Sequence, residues 1–328
     1  MIRSLYRRRD GSMRVDLTLD ELTAALKDPQ GRLWVDFEGE APEVCEPILD
    51  GVFGFHPLAV DDALRETHVP KIDDWGHFLY IVLHAVHFNR RDGDHVDTLE
   101  LDIFLGKTYL VSHHDQAIPV VDHVWMACQR DGRYWEKGAD HILYLLVDEL
   151  VTSYMPVVEE IDEEIEQVED RIFDRPTQSL LEQLFGLKRA LLHLRRIITP
   201  QREVVNRLAR DTYAVIDAED RVFFRDVYDH LVRLHDINES LRDLVSGALD
   251  AYLSAVNNRM NEVMRTLTII TTLFMPVSFI AGFFGMNFFQ PVVPLDIWTG
   301  EPAFIVTAMA MLIVPVGLYL WIRRRAWM

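Results

Sequence analysis

The sequence predicts an α+β domain followed by long helices and a two-helix transmembrane hairpin, and three observations carry that reading. Charge is unevenly placed: 33 Lys and Arg stand against 52 Asp and Glu, a formal net charge of −19, yet residues 266–295 and 302–322 carry none. Runs rich in β-branched and aromatic residues are confined to the first 130 positions. From residue 139 onward helical periodicity replaces them.

The expected strands lie at 33–37, 78–88, 99–105 and 109–112, broken by Arg91-Asp92-Gly93-Asp94 and Gly106-Lys107, which read as turns. Short helices are expected at 20–27 and 57–65. Residues 1–130 are therefore assigned to one α/β domain, with regular pattern from about residue 14.

An antiparallel helical region is expected over 139–215, where Arg175-Pro176 ends one helix and Pro176-Thr177-Gln178-Ser179 opens the next. The first helix bears Glu159, Glu160, Asp162, Glu163, Glu164, Glu166, Glu169 and Asp170 around its circumference. Such a run reads as a solvated face or as an attractor of cations. A stalk helix is expected over 217–265, and unbroken helical pattern over 222–284 makes a rod about 95 Å long, more than a compact domain holds or a bilayer needs.

Two uncharged segments, 267–284 and 302–322, are long enough to cross a hydrocarbon core of about 30 Å. The assignment is a first transmembrane helix at 266–285, an extracytoplasmic loop at 286–301, a second transmembrane helix at 302–322 and a basic tail at 323–328. Arg323, Arg324 and Arg325 follow the second span, whereas the loop holds Asp296 and Glu301 but no Lys or Arg. The positive-inside rule then places both termini in the cytoplasm and the chain in the inner (plasma) membrane. Arg3, Arg7, Arg8 and Arg9 precede no apolar h-region, so no secretory signal is expected. Cys45 and Cys128 form no C-x-x-C pair, which suits a reduced compartment. The acidic balance excludes a general nucleic-acid binder.

The first span is more than an anchor. Asp250, Ser254, Asn257, Asn261, Met264, Thr268, Thr271, Met275, Ser278, Gly282 and Gly285 recur at alternating steps of four and three, with Leu267 at the edge. This is a heptad-like seam filled with polar and small residues where a coiled-coil core carries Leu and Ile. Around a symmetry axis the seam would line a pore with rings of carboxylate, amide, thioether and hydroxyl. Thr271, Ser278 and Gly282 equally permit close helix packing, which leaves Asn261 and Asp250 unexplained. Met264, Met275 and Leu267 would form apolar constrictions.

That span ends in Phe284-Gly285-Met286-Asn287-Phe288. With Glu262-Val263-Met264-Arg265 and Phe274-Met275-Pro276 before it, and a short loop, a last span and a basic tail after it, the chain closely resembles the CorA family of magnesium and cobalt transporters. The likeness extends to Gly54-Phe55-His56-Pro57-Leu58, Pro70-Lys71 and 224–230. It implies a homopentameric funnel, not an enzyme, that moves Mg2+, with Co2+ or Ni2+ as further cargo. It also implies a second span facing membrane lipid, a selectivity motif at Gly285, Met286 and Asn287, and regulatory Mg2+ held between subunits by Asp62 and Asp226. An amide ring suits a small cation that sheds water reluctantly; Gly285 and Asn287 are equally good helix caps. Asp226 lies roughly 50 to 120° from the seam, so it should face a neighbouring subunit. The family often places an acidic residue soon after the triplet, whereas here the first is Asp296.

The alternative is a transporter of Zn2+ or another transition metal, of the ZntB branch, with His84, His87, His113 and His114 as softer ligands. No His or Cys stands on the seam, which favours a hard cation. No phosphate-cradling glycine loop, Gly-x-Ser-x-Gly elbow or His-Glu-x-x-His motif supports an enzyme.

Overall fold

Alternation of buried side chains along the chain builds a seven-stranded mixed sheet in the order β2-β1-β3-β7-β6-β5-β4. Its strands are β1 (Ile2–Arg7), β2 (Met13–Val15), β3 (Arg32–Glu38), β4 (Lys71–Asp74), β5 (Phe78–Asn89), β6 (His95–Gly106) and β7 (Tyr109–His114). Among the described residues only the β3–β7 pair is parallel, from Leu33↔Tyr109 to Glu38↔His114; β5 and β6 run antiparallel from Phe78↔Gly106 to Asn89↔His95. The computed structural model describes residues 1–65, 69–89, 95–286 and 300–324. The turn expected at 91–94 lies outside them.

The helices are α1 (Leu19–Leu26), α2 (Pro42–Gly51), α3 (Pro57–Arg65), α4 (Pro119–Arg130), α5 (Ala139–Thr152), α6 (Tyr154–Asp174), α7 (Gln178–Arg210), α8 (Arg221–Phe284) and α9 (Glu301–Arg324). One face of the sheet presents Tyr6, Val35, Phe37, Phe78, Tyr80, Val82 and Phe104 to a core closed by Leu22 of α1, Cys45 and Leu49 of α2 and Val60 of α3. The alternate residues of β5 and β6, among them Ile81, Leu83, Leu101 and Ile103, are fully buried on the opposite face, where α5, α6 and α7 pack. Helices thus cover both faces of the sheet, and α6 and α7 lie against one another. In α6 the buried stripe is Val157, Val158, Ile161, Ile165, Val168 and Ile172. The acidic run occupies the remaining circumference.

Two compact units result, Met1–Asp250 and Ala251–Met328, with α8 contributing residues to each. The arginine-rich N-terminus, expected to precede the regular pattern, is instead strand β1, paired with β3 from Ile2↔Phe37 to Arg7↔Arg32. Each of its paired arginines finds partners there. Arg3 Nε donates to Asp36 Oδ2 at 2.8 Å, Arg3 Nη1 meets Asp122 of α4 at 2.7 Å and its guanidinium lies 4.5 Å from the Trp125 ring centre. Arg7 reaches Glu136 at 3.3 Å.

Asp36 is fully buried and anchors this sector. Ser112 Oγ donates to Asp36 Oδ1, Trp34 Nε1 donates to Ser112 Oγ at 2.9 Å, and His114 Nε2 lies 3.3 Å from the same carboxylate. Burial pushes the Asp36 carboxyl up, but His114, Ser112 and Arg3 outweigh it and hold it below its ordinary value. Burial pushes His114 down, yet Asp36 and the Gln116 carbonyl hold it above its ordinary value. The stability from Asp36 is present above the usual carboxylate range and is lost as pH falls through its depressed value. That from His114 is present below about pH 6.5 and is lost as pH rises through its raised value. Urea melts of the detergent-solubilised protein from about pH 5 to about pH 9 should show an alkaline decline that His114→Gln removes. A decline of equal size in the variant would show that this pair does not cause it.

Candidate functional site

Asp220 immediately precedes α8, with Phe223 N donating to the Asp220 carbonyl at 3.0 Å, and the helix then runs without interruption to Phe284. In the isolated chain Asp250, Asn261, Met264, Leu267, Thr271, Met275, Ser278 and Gly282 are all exposed. Ile269, Thr272, Leu273, Pro276, Val277 and Ile280 are half-buried. At about 100° per residue the second set faces away from the seam. The polar stripe is therefore not the side of the helix that the chain's own packing covers.

The threonine hydroxyls of the seam have a fixed orientation. Thr268 Oγ1 donates to the Met264 carbonyl at 2.7 Å and Thr271 Oγ1 to the Leu267 carbonyl at 2.9 Å. With the proton committed to the backbone, the lone pairs of each oxygen point outward and accept. A surface made this way offers oxygen to a cation or to the water around it. Pro276 inside the helix removes one backbone donor, leaving the Thr272 carbonyl without its usual helical partner.

At the end of α8, Gly285 N donates to the Ala281 carbonyl at 2.9 Å and Met286 N to the Phe283 carbonyl at 3.4 Å. A Cβ at Gly285 would sit 2.9 Å from the Ala281 oxygen, whereas one at Gly282 would meet nothing within 4 Å. Asn287, the last member of the motif, lies outside the described residues.

The two carboxylates assigned to regulatory metal occupy different surroundings within one chain. Asp62 of α3 meets Lys71 Nζ at 2.5 Å, and Lys71 also reaches Asp73 at 3.6 Å. Asp226 is exposed on α8 and acts electrostatically on Tyr144 and Asp148 of α5. The Asp148 carboxyl is pushed up by burial, pulled down by His230, and raised further by Asp226 and Glu149, with a net rise above its ordinary value. Asp148 and His230 are functional candidates that the sequence reading missed. His230 lies one helical turn beyond Asp226, which a search for i, i+4 pairs would have found; Asp148 is placed by tertiary packing alone. Among the described residues no group of three or more His, Cys, Asp or Glu could hold a metal ion. A full octahedral shell here calls for water or a second copy of the chain.

The histidines considered as soft ligands are dispersed. His84 is buried, with its ring held near a pKa of about 4 by burial and by His193; its backbone N donates to Gln201 Oε1 at 3.0 Å. His113 and His114 alternate across β7, the first 3.7 Å from Asp102 and the second beside Asp36, while His87 is exposed.

Among the described residues, three helical stretches are long and apolar enough to cross a membrane: Ala139–Asp174, Arg221–Phe284 and Glu301–Arg324. The first goes beyond the two spans expected. In its most apolar window 56% of residues are buried within the chain, against 0% for the other two. Its apolarity belongs to the core under the sheet.

A model of CorA-like Mg2+ transporter proteins matches residues 29–324. The chain belongs to that family. Cobalt/magnesium transport protein CorA of Thermotoga maritima is 34% identical over 311 residues, 94% of this chain and 87% of that protein. Zinc transport protein ZntB of Yersinia pseudotuberculosis is 25% identical over 305 residues, covering 90% of this chain and 88% of that one. The solved CorA magnesium transporter of Methanocaldococcus jannaschii superposes with a TM-score of 0.83 at 22% identity over 99% of this chain and 98% of its own, which fixes the fold. The chain is thus a divalent-cation transporter of the CorA family, with an α+β soluble domain and long helices, among them candidate membrane helices.

The two glycines of the seam separate lining from packing. Gly282→Ala should raise stability by about 0.5–1 kcal/mol, the helix preference of alanine, while Gly285→Ala should lower it, as read by thermal unfolding in detergent. A loss at Gly282 of the size seen at Gly285 would mean that another helix packs tightly against the seam.

Proposed function

We propose that the chain forms a homopentameric channel for Mg2+, with Co2+ and Ni2+ as further cargo, whose pore is lined by the seam of α8. The carrying observation is the polar stripe of an otherwise apolar span, exposed on the side away from the chain's half-buried residues. Polar groups at membrane depth face protein interior or water. Copies arranged about an axis satisfy that demand and create a water-filled path at once. In this reading 266–285 is the pore span, Gly285, Met286 and Asn287 form the selective mouth, 302–322 faces lipid, and both termini are cytoplasmic.

Selection follows from ion chemistry. Mg2+ dehydrates reluctantly, so amide and hydroxyl oxygens that hydrogen-bond its hydration shell suit it better than a stripping cage. The acceptor orientation of Thr268 and Thr271 supports this role. The zinc reading retains support from the likeness to ZntB. It is disfavoured by the seam, which has no His or Cys, and by the separate, mostly buried placement of His84, His113 and His114.

Cytoplasmic Mg2+ would close the channel by joining carboxylates between subunits, Asp62 and Asp226 among them, with Asp148 completing the oxygen set beside Asp226. Asp148, half-buried and raised partly by Asp226, is what a hard cation would neutralise. Because the folded carboxyl is raised, it opposes folding at neutral pH when no cation is bound. Asp148→Asn should therefore melt at or above the wild-type temperature in chelator, yet lose the Mg2+-dependent rise. For the wild type that rise corresponds to about 2.7 kcal/mol at a hundredfold excess over Kd. An unchanged Mg2+ response in Asp148→Asn and Asp226→Asn would remove both from the site.

The transport reading is tested by uptake into dye-loaded liposomes holding purified protein. Mg2+ flux is expected, with loss in Asn287→Ala and little Zn2+ flux in parallel. Zn2+ flux without Mg2+ flux would contradict it and favour the transition-metal branch.

A further inference from the structure

The connection from α7 to α8, residues 211–220, carries an exposed stretch at Asp211 and Thr212 and no regular structure, yet its last residues, leading into α8, are tied down. Two successive residues of α5 hold them. Asp140 Oδ2 accepts from the backbone N of Asp217 at 2.8 Å, and His141 Nδ1 lies 3.0 Å from Asp220 Oδ1. Asp140 and Asp220 are each 3% exposed, and His141 6%. Lys107, from the turn after β6, bonds the Asp217 carboxylate, so the sheet reaches the same point.

Aromatic packing extends the contact. The Phe223 ring lies 5.5 Å from that of His141 and 5.0 Å from that of Tyr144, with Lys137 Nζ 4.5 Å above it, and Phe224 meets Tyr144 edge-on at 6.2 Å. Burying two carboxylates is an expensive way to hold a helix that apolar side chains would hold as well. What directional bonds add is a defined angle and register.

We propose that Asp140 and His141, through Asp217 and Asp220, are positioning residues for gating: they pin the entry to α8 against α5 just ahead of the Phe223 ring contacts, making the α5–α8 contact a fixed pivot rather than a slack joint. The proposal rests on the channel reading above. Asp148 lies within electrostatic reach of Asp226 further along the same two helices, so a cation bound there would act on α8 about this pivot. The same helix carries Thr271 and Ser278. With the pivot released, a change at the carboxylates is absorbed by residues 211–220 and does not reach the seam.

The test uses the full-length protein in liposomes, with Mg2+ titrated on the side of the soluble domain. His141→Ala and Asp220→Ala should still conduct at low Mg2+ but need about tenfold more Mg2+ to close. Asp220→Asn, which keeps a hydrogen bond to His141, should restore much of the wild-type response. A purely structural role would lower flux and melting temperature together without moving the closing concentration, and that result would overturn the proposal. A second readout is independent of flux: Mg2+ should slow tryptic cleavage at Arg210 and Arg221 in the wild type and not in His141→Ala. If the wild type shows no flux, the channel reading falls while the cleavage result still decides the pivot. Equal Mg2+ protection in wild type and variant would refute it. Should Asp220→Ala fail to assemble, His141→Gln carries the same comparison.

Discussion

A helix that crosses hydrocarbon can hide its backbone but not a row of amides and hydroxyls, and this constraint organises the second half of the chain. Segment 267–284 is uncharged and apolar enough to span, yet Thr268, Thr271 and Ser278 stand in line on it with Asn261 and Asp250 below. The isolated chain leaves that line uncovered. Thr268 and Thr271 turn their protons inward to the helix backbone, so the uncovered surface is one of acceptors. In the proposed pore these acceptors would meet a cation's water shell.

The soluble unit meets the complementary need for rigidity. Helices cover both faces of its sheet, and the buried Asp36, with Arg3, Ser112, His114 and Trp34, ties strands β1, β3 and β7 together. Removing one partner of such a set strands the rest and costs on the order of 3–5 kcal/mol. The contacts at the start of α8 join this framework to the helix that carries the seam.

Much of this was legible in the sequence, for identifiable reasons. The two long uncharged helices could be read because charge depletion is a local signal, and the family because the Gly285-Met286-Asn287 motif stands between them. Strands β5, β6 and β7 announced themselves through β-branched and aromatic runs. Strand β1 did not, since Arg3 and Arg7 look like a solvated tail until Asp36, Asp122 and Glu136 are brought to them by folding. Asp148 was invisible for the same reason: its significance is its nearness to Asp226, on a helix far away in sequence. The apolar α5, long enough with α6 to mimic a span, was assigned by sequence to an antiparallel helical region; in the fold its apolar side chains are buried within the chain.

The central claim, that the seam of α8 lines the ion path, is most directly tested by thiol accessibility along one helix. Single cysteines would be placed at Thr271 and Ser278 on the seam and at Thr272 and Val277 on the half-buried side; the native Cys45 and Cys128 are buried. Mg2+ flux in liposomes would be followed during treatment with a water-soluble thiol reagent. The account predicts block at Thr271→Cys and Ser278→Cys with little effect at Thr272→Cys and Val277→Cys. Equal sensitivity on both sides, or block confined to Thr272→Cys and Val277→Cys, would contradict it.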